Sequence, residues 1–191
     1  PTRHLETPAL WIIPPETSLA ACRRWGRVPA DGLKGIVNVL VEVVPMYVMG
    51  DVNDIGGVLD SSNLGRPALF IYDKYPGGIG YAEKAFEWVE QIMTTALEVI
   101  SDCPCRTGCP SCVGAALADG GMSGPNDREI VPDKEAALIL LHDMLEREPY
   151  VPKQPSPEAL AQPADIPEPD PVIKPLPPNI EEKIRSRVRN L

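Results

Sequence analysis

The chain has 191 residues, of which 43% are hydrophobic, and this is enough for one domain with its own core and some further length. Its formal charge of −9 excludes a protein that is held on nucleic acid by its overall charge. No apolar run approaches the roughly 18 to 20 residues that a membrane helix needs, and no secretory leader opens the chain. We therefore expect a soluble, cytoplasmic protein without a membrane partner. Because the chain begins with Pro1 rather than methionine, we expect it to be part of a longer protein.

The first part of the chain predicts a strand, a buried helix and a hairpin. Residues 8–13 form a short apolar, β-prone run that the next two prolines close. From residues 33 to 49, polar residues recur every four positions, which indicates one face of a largely buried helix that ends near Pro45. Residues 55–59 and 68–72 are short apolar runs joined by a turn-rich segment, and they predict two antiparallel strands.

Two further helices are predicted, one on each side of a cysteine-rich segment. Apolar residues alternate steps of three and four from Ile79 to Ile100, which predicts a helix that packs on the sheet. A last helix is predicted from Asp133, as its N-cap, to about Arg147. Residues 118–126, which precede that helix, have the composition of a mobile loop.

The composition changes abruptly after the last predicted helix. Residues 149–178 contain eleven prolines and no glycine, which predicts an extended linker with polyproline II segments. Residues 179–191 have the spacing of a short amphipathic helix with basic residues around its apolar face. We therefore predict a domain over residues 1–148 with an α+β fold. It has a small antiparallel sheet packed by helices and a four-cysteine zinc-binding loop, and the proline-rich extended tail follows it.

Four of the five cysteines lie within ten residues, in the segment Cys103-Pro-Cys105-Arg-Thr-Gly-Cys109-Pro-Ser-Cys112. This density does not suit a disulfide framework, whereas two close pairs of thiols at a bend suit the tetrahedral coordination of Zn²⁺. With all four positions taken by thiolates, no position is open for water or substrate, so the metal is predicted to be structural. Two alternatives remain open: an iron–sulfur cluster, which has the same ligand type, and a thioredoxin-like redox motif formed by the second pair. The fifth cysteine, Cys22, is expected to be a buried small residue.

A glycine-rich segment, residues 72–80, joins a predicted strand to a predicted helix. Backbone amides at such a helix start can point at an anion such as a nucleic-acid phosphate, although glycines that only form a tight turn give the same pattern. Residues 1–40 also carry more basic than acidic side chains, which is typical either of a local phosphate-binding surface or of scattered solvated charges. The candidate nucleic-acid contacts are Arg23, Arg24, Arg27, Lys74, Gly77, Gly78 and Gly80.

Three aspartates are candidates for a hard-metal site or an acid/base pair, namely Asp51, Asp54 and Asp73. Their spacing does not require that they meet, and capping or turn roles are favoured. The two histidines, His4 and His142, form no recognisable nucleophile–base arrangement with other residues. No catalytic residue is predicted.

Several segments, in this order, resemble one protein family. They are Asp54-Ile-Gly-Gly57, Phe70-Ile-Tyr-Asp73, Pro76-Gly-Gly-Ile-Gly80, the cysteine segment 103–112 and the helix start Asp133-Lys134. Over residues 5–147 the chain is similar to the C-terminal zinc-binding domain of MrfA-type superfamily 2 helicases. The resemblance implies that the four cysteines are zinc ligands, and it gives the aspartates and the glycines no settled role.

The same resemblance implies a position downstream of two RecA-like motor domains that use ATP to move on single-stranded or duplex DNA. It also implies a role in DNA repair or in antiviral defence against foreign DNA. The motor and its ATP-binding motifs are not in this sequence, so we do not expect this polypeptide to hydrolyse ATP by itself. Motor domains in the same or a separate chain are the expected partners.

Two other functions remain open at this point. One is a protein-interaction module that docks helicase subunits without direct contact with DNA, and the charge of −9 favours it. The other is an independent hydrolase that uses the aspartates, although no nucleophile accompanies them.

Overall fold

The computed structural model describes residues 5–62, 64–114 and 132–153, and in that part of the chain it contains a three-stranded sheet and five α-helices. The elements are, in chain order, β1 (Ala9–Ile12), α1 (Glu16–Arg24), α2 (Pro29–Val48), a 3₁₀ turn (Val52–Asp54), β2 (Ile55–Asp60), β3 (Ala68–Asp73), α3 (Tyr81–Glu87), α4 (Val89–Asp102) and α5 (Lys134–Met144). The predicted loop 118–126, the predicted helix 179–191 and most of the proline-rich linker lie outside the described residues. The predicted α+β fold is confirmed.

The sheet is antiparallel throughout, with the strand order β1-β3-β2. β2 and β3 form the predicted hairpin, in which Ile55 lies opposite Asp73. β1, the strand predicted near the start of the chain, pairs with the other edge of β3. Alternate residues of the central strand, such as Leu69 and Ile71, are buried against the helices, as the period of two requires. All three predicted strands are thus confirmed.

α2 is the central helix, and it begins earlier and ends later than the sequence predicts. Pro29 lies in its first turn, where the missing N–H is no loss and the fixed φ favours the helix. Pro45 lies inside the last turn and the helix continues to Val48, so the predicted end near Pro45 is wrong. A proline at this position removes one backbone hydrogen bond of the helix, and only three helical residues follow it. The helix ends at Met49, whose φ is 57°, and the N–H of Gly50 donates to the carbonyl of Pro45.

The sequence does not predict α1. Only Ser18, Leu19 and Cys22 of this helix are buried, so its apolar stripe is too short to give a clear helical period. It packs on α5, and its last turn carries two basic residues, Arg23 and Arg24. The side chain of Cys22 is fully buried, as expected.

The single helix predicted from Ile79 to Ile100 is wrong, because a break at Trp88 separates α3 from α4. Trp88 has a φ of −114° and a ψ of 16°, which lie outside the helical range, and no glycine or proline marks the position. The apolar stripe of α4 is buried from Ile92 onwards, whereas Phe86 in α3 is exposed. Only the second part of the predicted stripe therefore contributes fully to the core.

α2 lies against both the sheet and α5, and many of the core side chains come from these elements. α2 and α5 approach closely because Gly32 has no side chain: a Cβ there would lie 2.7 Å from the carbonyl carbon of Ala136. The start of α5 lies beside the cysteine segment, where the N–H of Lys134 donates to the carbonyl of Thr107 at 3.2 Å. Among the described residues, no helix combines the length and the apolar character that crossing a membrane requires.

Candidate metal centre

The four clustered cysteines come together directly after the end of α4. Their sulfur atoms all lie within 4.8 Å of one another. The Sγ···Sγ distances are 3.6 Å for Cys103 and Cys109, 3.4 Å for Cys105 and Cys112, and 3.7 Å for Cys109 and Cys112. A tetrahedral zinc ion with Zn–S bonds of ~2.3 Å sets its sulfur atoms ~3.8 Å apart, so the donor set and its spacing fit Zn²⁺. Within the described ranges, no other group of three or more metal-binding side chains has this arrangement.

Gly108 produces the bend between the two pairs of cysteines. Its φ of 121° lies in the region that favours glycine, and a Cβ here would lie 2.9 Å from Cγ2 of Val113. After the bend, the N–H groups of Cys112 and Val113 both donate to the carbonyl of Cys109, at 3.0 and 3.1 Å. The bend and this tight turn bring the second pair of thiols back to the first pair.

Hydrogen bonds and burial act in opposite directions on the thiols. Hydrogen bonds from the thiol of Cys103 and from the N–H of Ser111 lower the pKa of Cys109 to about 7. Burial raises the pKa of Cys112, even though the N–H of Cys109 donates to its sulfur at 3.4 Å. Burial also raises the pKa of Cys105. Four thiolates so close together need a cation to offset their charge. Binding of a metal ion would therefore release protons from the thiols.

The ammonium group of Lys134 lies against the cysteine segment. Lys134 is the first residue of α5 and is only 5% exposed. Its Nζ donates to the carbonyl oxygens of Cys103 at 2.6 Å and of Cys105 at 3.1 Å, and it lies 3.9 Å from the sulfur of Cys105. Lys134 has no predicted role, because a lysine directly after an N-cap is usually a solvated charge. Only the fold shows that it faces the thiols.

Asp133 is confirmed as the N-cap of α5, since its carboxylate accepts from the N–H groups of Glu135 at 3.0 Å and Ala136 at 3.3 Å. Nη1 of Arg27 donates to the same carboxylate, at 2.8 and 2.7 Å. Arg27 is only 4% exposed, so its charge is used inside the domain. This buried position corrects the prediction that Arg27 offers its guanidinium to a phosphate at the surface.

The next residue, Glu135, holds the segment 149–153 against the same end of α5. Glu135 is buried, and its carboxylate accepts from the N–H of Lys153 at 3.1 Å and from the hydroxyl of Tyr150. Burial, and then the charge of Glu135, raise the pKa of Tyr150 to about 12. Residues 133–135 thus connect the start of α5 to three distant parts of the chain.

The glycine loop between β3 and α3 already holds an anion, and that anion is the carboxylate of Asp73. Its Oδ2 accepts from the N–H groups of Ile79 at 2.7 Å, Gly80 at 3.0 Å and Tyr81 at 3.2 Å. Its Oδ1 accepts from the N–H of Ala82 at 3.0 Å. Asp73 is buried, so its capping role is confirmed and the start of α3 is neutralised from within the chain.

The two glycines that precede this cap use their amides within the chain as well. The N–H of Gly77 donates to the carbonyl of Glu6 at 2.8 Å, and the N–H of Gly78 donates to the carbonyl of Tyr75 at 3.0 Å. Every amide from residue 77 to residue 82 therefore has an acceptor in the domain. This corrects the prediction that Gly77, Gly78 and Gly80 present their amides to a nucleic-acid phosphate.

Three of the predicted nucleic-acid contacts do lie at the surface. Arg24 and Lys74 are exposed. Arg23 is exposed as well and pairs with Glu16 at 2.7 Å, with side chains that are 55% and 74% exposed. Solvent screens such a pair strongly, so Arg23 can exchange this partner for another anion at little cost.

The other two aspartates have local partners of their own. Asp51 caps the 3₁₀ turn by accepting from the backbone N–H and the side-chain amide of Asn53, both at 2.8 Å, which confirms the favoured capping role. Asp54 accepts from the hydroxyl of Tyr75 at 2.9 Å, and this hydrogen bond raises the pKa of Tyr75. In the part of the chain that the structure describes, neither aspartate joins Asp73 in a metal-binding group.

Comparison with known proteins finds a matching domain family and several relatives. Residues 36–113 match the model of the MrfA Zn-binding domain. The chain is 40% identical over 146 residues to the uncharacterized ATP-dependent helicase YprA of Bacillus subtilis, a match that covers 75% of this chain and 18% of that protein. It is 28% identical over 153 residues to the ATP-dependent helicase HRQ1 of Saccharomyces cerevisiae, which covers 74% of this chain and 14% of that protein.

A crystal structure of the DUF1998 helicase MrfA bound to DNA is similar as well, with a TM-score of 0.48 and 34% identity over 71% of this chain and 17% of that one. The chain therefore spans less than a fifth of the length of these relatives. The region that matches the family model contains α3, α4 and the whole cysteine segment. Four thiols at the spacing of a zinc tetrahedron are the donor set that a domain of this description requires. Over residues 36–113 the chain therefore contains a domain of the MrfA Zn-binding family.

Proposed function

We propose that this chain is the structural-zinc accessory domain of an ATP-dependent DNA helicase or translocase that acts in DNA repair or in defence against foreign DNA. In this proposal it helps the motor to hold or separate DNA strands. The observation that carries the proposal is the convergence of four thiols within a segment that matches a zinc-binding domain of helicases. ATP hydrolysis belongs to motor domains in the same or a separate chain.

Cys103, Cys105, Cys109 and Cys112 hold the ion in this proposal. When bound, zinc supplies a cross-link within the segment that follows α4, and four sulfur ligands leave it no open position for water or substrate. The chain's own residues set the geometry of this cross-link: α4 positions the first cysteine, and Gly108 turns the second pair towards it. The ion therefore stabilises the fold and takes no part in a chemical step.

In this proposal, direct contact with DNA comes from the exposed basic residues Arg23, Arg24 and Lys74. Long, flexible basic side chains at a surface suit phosphates more than base edges. Because the chain as a whole carries a charge of −9, such a contact has to be local. Each lost phosphate contact should lower the slope of log affinity against log salt by about one.

Fluorescence anisotropy of the zinc-loaded chain with single-stranded and duplex oligonucleotides, over a series of salt concentrations, tests this contact. We expect binding that weakens steeply as salt rises, and weaker binding with a smaller salt slope for Arg24→Gln. Arg66→Gln is the matched control, because it removes the same charge from an exposed position between β2 and β3. Equal losses in the two variants would contradict a specific role of Arg24. No binding even at low salt would contradict direct contact.

A second candidate is a protein-interaction module that docks helicase subunits without direct DNA contact, and a groove between β1 and α3 favours it. Trp11 and Phe86 line this groove of about 430 Å³ and are 63% and 68% exposed. Trp11 also contacts Phe70 edge to face, with 6.4 Å between the ring centroids. The charged residues of the groove are Glu83 and Glu87. Exposed aromatic rings beside carboxylates suit an apolar protein surface with basic groups, and the carboxylates repel phosphates.

Co-purification of this chain with helicase motor domains produced in the same cells separates the two candidates. If the groove is a docking surface, Phe86→Ser should reduce the recovery of the motor domains, while Arg24→Gln should leave it unchanged. Unchanged recovery with Phe86→Ser would exclude this groove as the docking surface.

A further inference from the structure

The buried ammonium group of Lys134 is directed at the cysteine segment. Its Nζ donates hydrogen bonds to the carbonyl oxygens of Cys103 at 2.6 Å and of Cys105 at 3.1 Å, in place of bonds to water. Burial of a charged ammonium group is unfavourable unless hydrogen bonds and an opposite charge compensate for it. The two carbonyls supply hydrogen bonds but no full charge, so the compensating charge has to come from another group.

The acidic residues on either side of Lys134 are directed elsewhere. The carboxylate of Asp133 binds Arg27 and caps α5. The carboxylate of Glu135 accepts from the N–H of Lys153. Neither of these contacts involves the ammonium group of Lys134.

Among the residues that the structure describes, the thiols bring negative charge close to Lys134. The sulfur of Cys105 lies 3.9 Å from Nζ, and the other three sulfur atoms lie within 4.8 Å of that sulfur. Zinc with four thiolates carries a net charge of about −2. At such a distance, and in a partly buried position, opposite charges attract more strongly than at an exposed surface.

We propose that Lys134 is a positioning residue of the zinc site: its ammonium group holds the backbone between Cys103 and Cys105 in the ligand geometry, offsets part of the thiolate charge, and so slows the loss of the metal. This inference rests on the proposed function, because it takes the four cysteines as the zinc ligands. Lys134 donates to the ligands and does not itself bind the metal.

Both effects follow from the position of the ammonium group. The segment from Cys103 to Cys105 belongs to no helix or strand, so its hydrogen bonds to Lys134 fix a backbone that regular structure does not hold. The positive charge also offsets part of the negative charge that four thiolates place at the site. Loss of a group that forms hydrogen bonds to metal-binding residues typically lowers the metal affinity about 10- to 100-fold.

The rate of zinc transfer from the zinc-loaded 191-residue chain to a coloured chelator tests the proposal. Lys134→Met keeps the reach of the side chain but removes its charge and its donors, and we expect zinc release to be about 10-fold faster or more. Lys134→Arg keeps the charge and should restore most of the retention. Arg24→Met is the control for the loss of a positive charge, because Arg24 is exposed in α1. This variant should release zinc at close to the wild-type rate.

Alkylation of the thiols in the zinc-loaded proteins gives a second readout, resolved for each cysteine by mass spectrometry. In Lys134→Met we expect the four clustered cysteines to react faster than in the wild type. Cys22 is fully buried and lies outside the cluster, so its protection reports whether the fold is intact. If the substitution instead destabilised the whole domain, Cys22 would react together with the four clustered cysteines.

Zinc release and alkylation at wild-type rates in folded Lys134→Met would overturn the proposal. If Lys134→Met does not fold, the NMR signal of the Lys134 ammonium group in the zinc-loaded wild type decides. A signal that is protected from exchange with water, and that disappears on chelation, supports the proposal, whereas a freely exchanging group overturns it. Failure of the four-cysteine zinc assignment can be told apart from failure of the Lys134 proposal. In that case Cys109→Ser would keep its full zinc content.

Discussion

Nη1 of Arg27 contacts both carboxylate oxygens of Asp133, at 2.8 and 2.7 Å, across 106 positions of the chain. The two side chains are 2% and 7% exposed, so this ion pair is buried. It joins the link between α1 and α2 to the start of α5, beside the cysteine segment. Since Asp133 also caps α5, the pair helps to determine where this helix begins.

We expect Arg27→Met to destabilise the domain strongly, because the variant leaves the carboxylate of Asp133 buried without its guanidinium. Breaking a buried ion pair from one side costs about 3 to 5 kcal/mol, and urea unfolding of the zinc-loaded chain measures the loss. Arg23→Met is the matched control: the pair of Arg23 with Glu16 is equally short at 2.7 Å but exposed. Its loss should cost less than about 1 kcal/mol. Equal losses in the two variants would contradict the argument from burial.

The sequence predicts those helices and strands that have a recognisable boundary or period in their own residues. The three strands are apolar runs bounded by prolines or turn residues, and α5 has an N-cap directly before its apolar stripe. The break at Trp88 has no such mark, so the regular spacing on both sides of it suggests one continuous helix. α1 is short and buries only one narrow stripe, which gives too few residues to establish a period.

The same distinction applies to the site. The metal-binding cysteines can be recognised in the sequence because all four lie within ten residues. Their spacing alone indicates that they bind one metal ion. The roles of Arg27, Asp73 and Lys134 depend on contacts that the sequence does not show. A basic side chain looks the same in a sequence whether it meets a phosphate in solvent or a carboxylate in the core. Tertiary structure decides between these partners.

Asp73 supports a prediction that separates a structural cap from a phosphate-binding loop. Asp73→Ala removes the acceptor of four amides at the start of α3, from Ile79 to Ala82. An ordinary cap is worth about 0.5 to 2 kcal/mol, and we expect a loss at or above the upper end because the carboxylate is buried. Thermal unfolding of the zinc-loaded chain measures it. Asp51→Ala, which removes an exposed cap from the 3₁₀ turn, should cost clearly less.

The amides released in Asp73→Ala should then be able to take up an external anion. We expect inorganic phosphate to raise the melting temperature of Asp73→Ala more than that of the wild type, because helix N-termini with free amides bind anions. An equal effect of phosphate on both proteins would show that the loop of the wild type still offers amides to an anion. That result would restore Gly77, Gly78 and Gly80 as candidate phosphate contacts.

Gly32 should be intolerant of alanine, although alanine favours helices. In an exposed helix, replacing glycine by alanine stabilises by up to about 1 kcal/mol. At Gly32 the new Cβ would lie 2.7 Å from the backbone of Ala136, so α2 and α5 have to move apart. We expect a net loss of about 1 to 3 kcal/mol in urea unfolding. Gly35→Ala is the comparison, because its Cβ would lie 3.1 Å from the side chain of Val113, and we expect a smaller loss. A stabilised Gly32→Ala protein would contradict the close packing of the two helices.

Removal of a single thiol should disrupt the zinc site and the structure around it. Cys109 contacts two of the other sulfur atoms, at 3.6 and 3.7 Å, and its carbonyl accepts two amides of the turn that follows. We expect Cys109→Ser to lose most of its bound zinc by elemental analysis and to melt at a lower temperature, since metal binding and local folding are coupled. Cys22→Ala is the matched control, because Cys22 is buried in the core outside the cluster and its loss should leave one zinc ion per chain. Full zinc content and unchanged melting of Cys109→Ser would refute the four-cysteine site, whereas zinc loss in both variants would point to general unfolding instead.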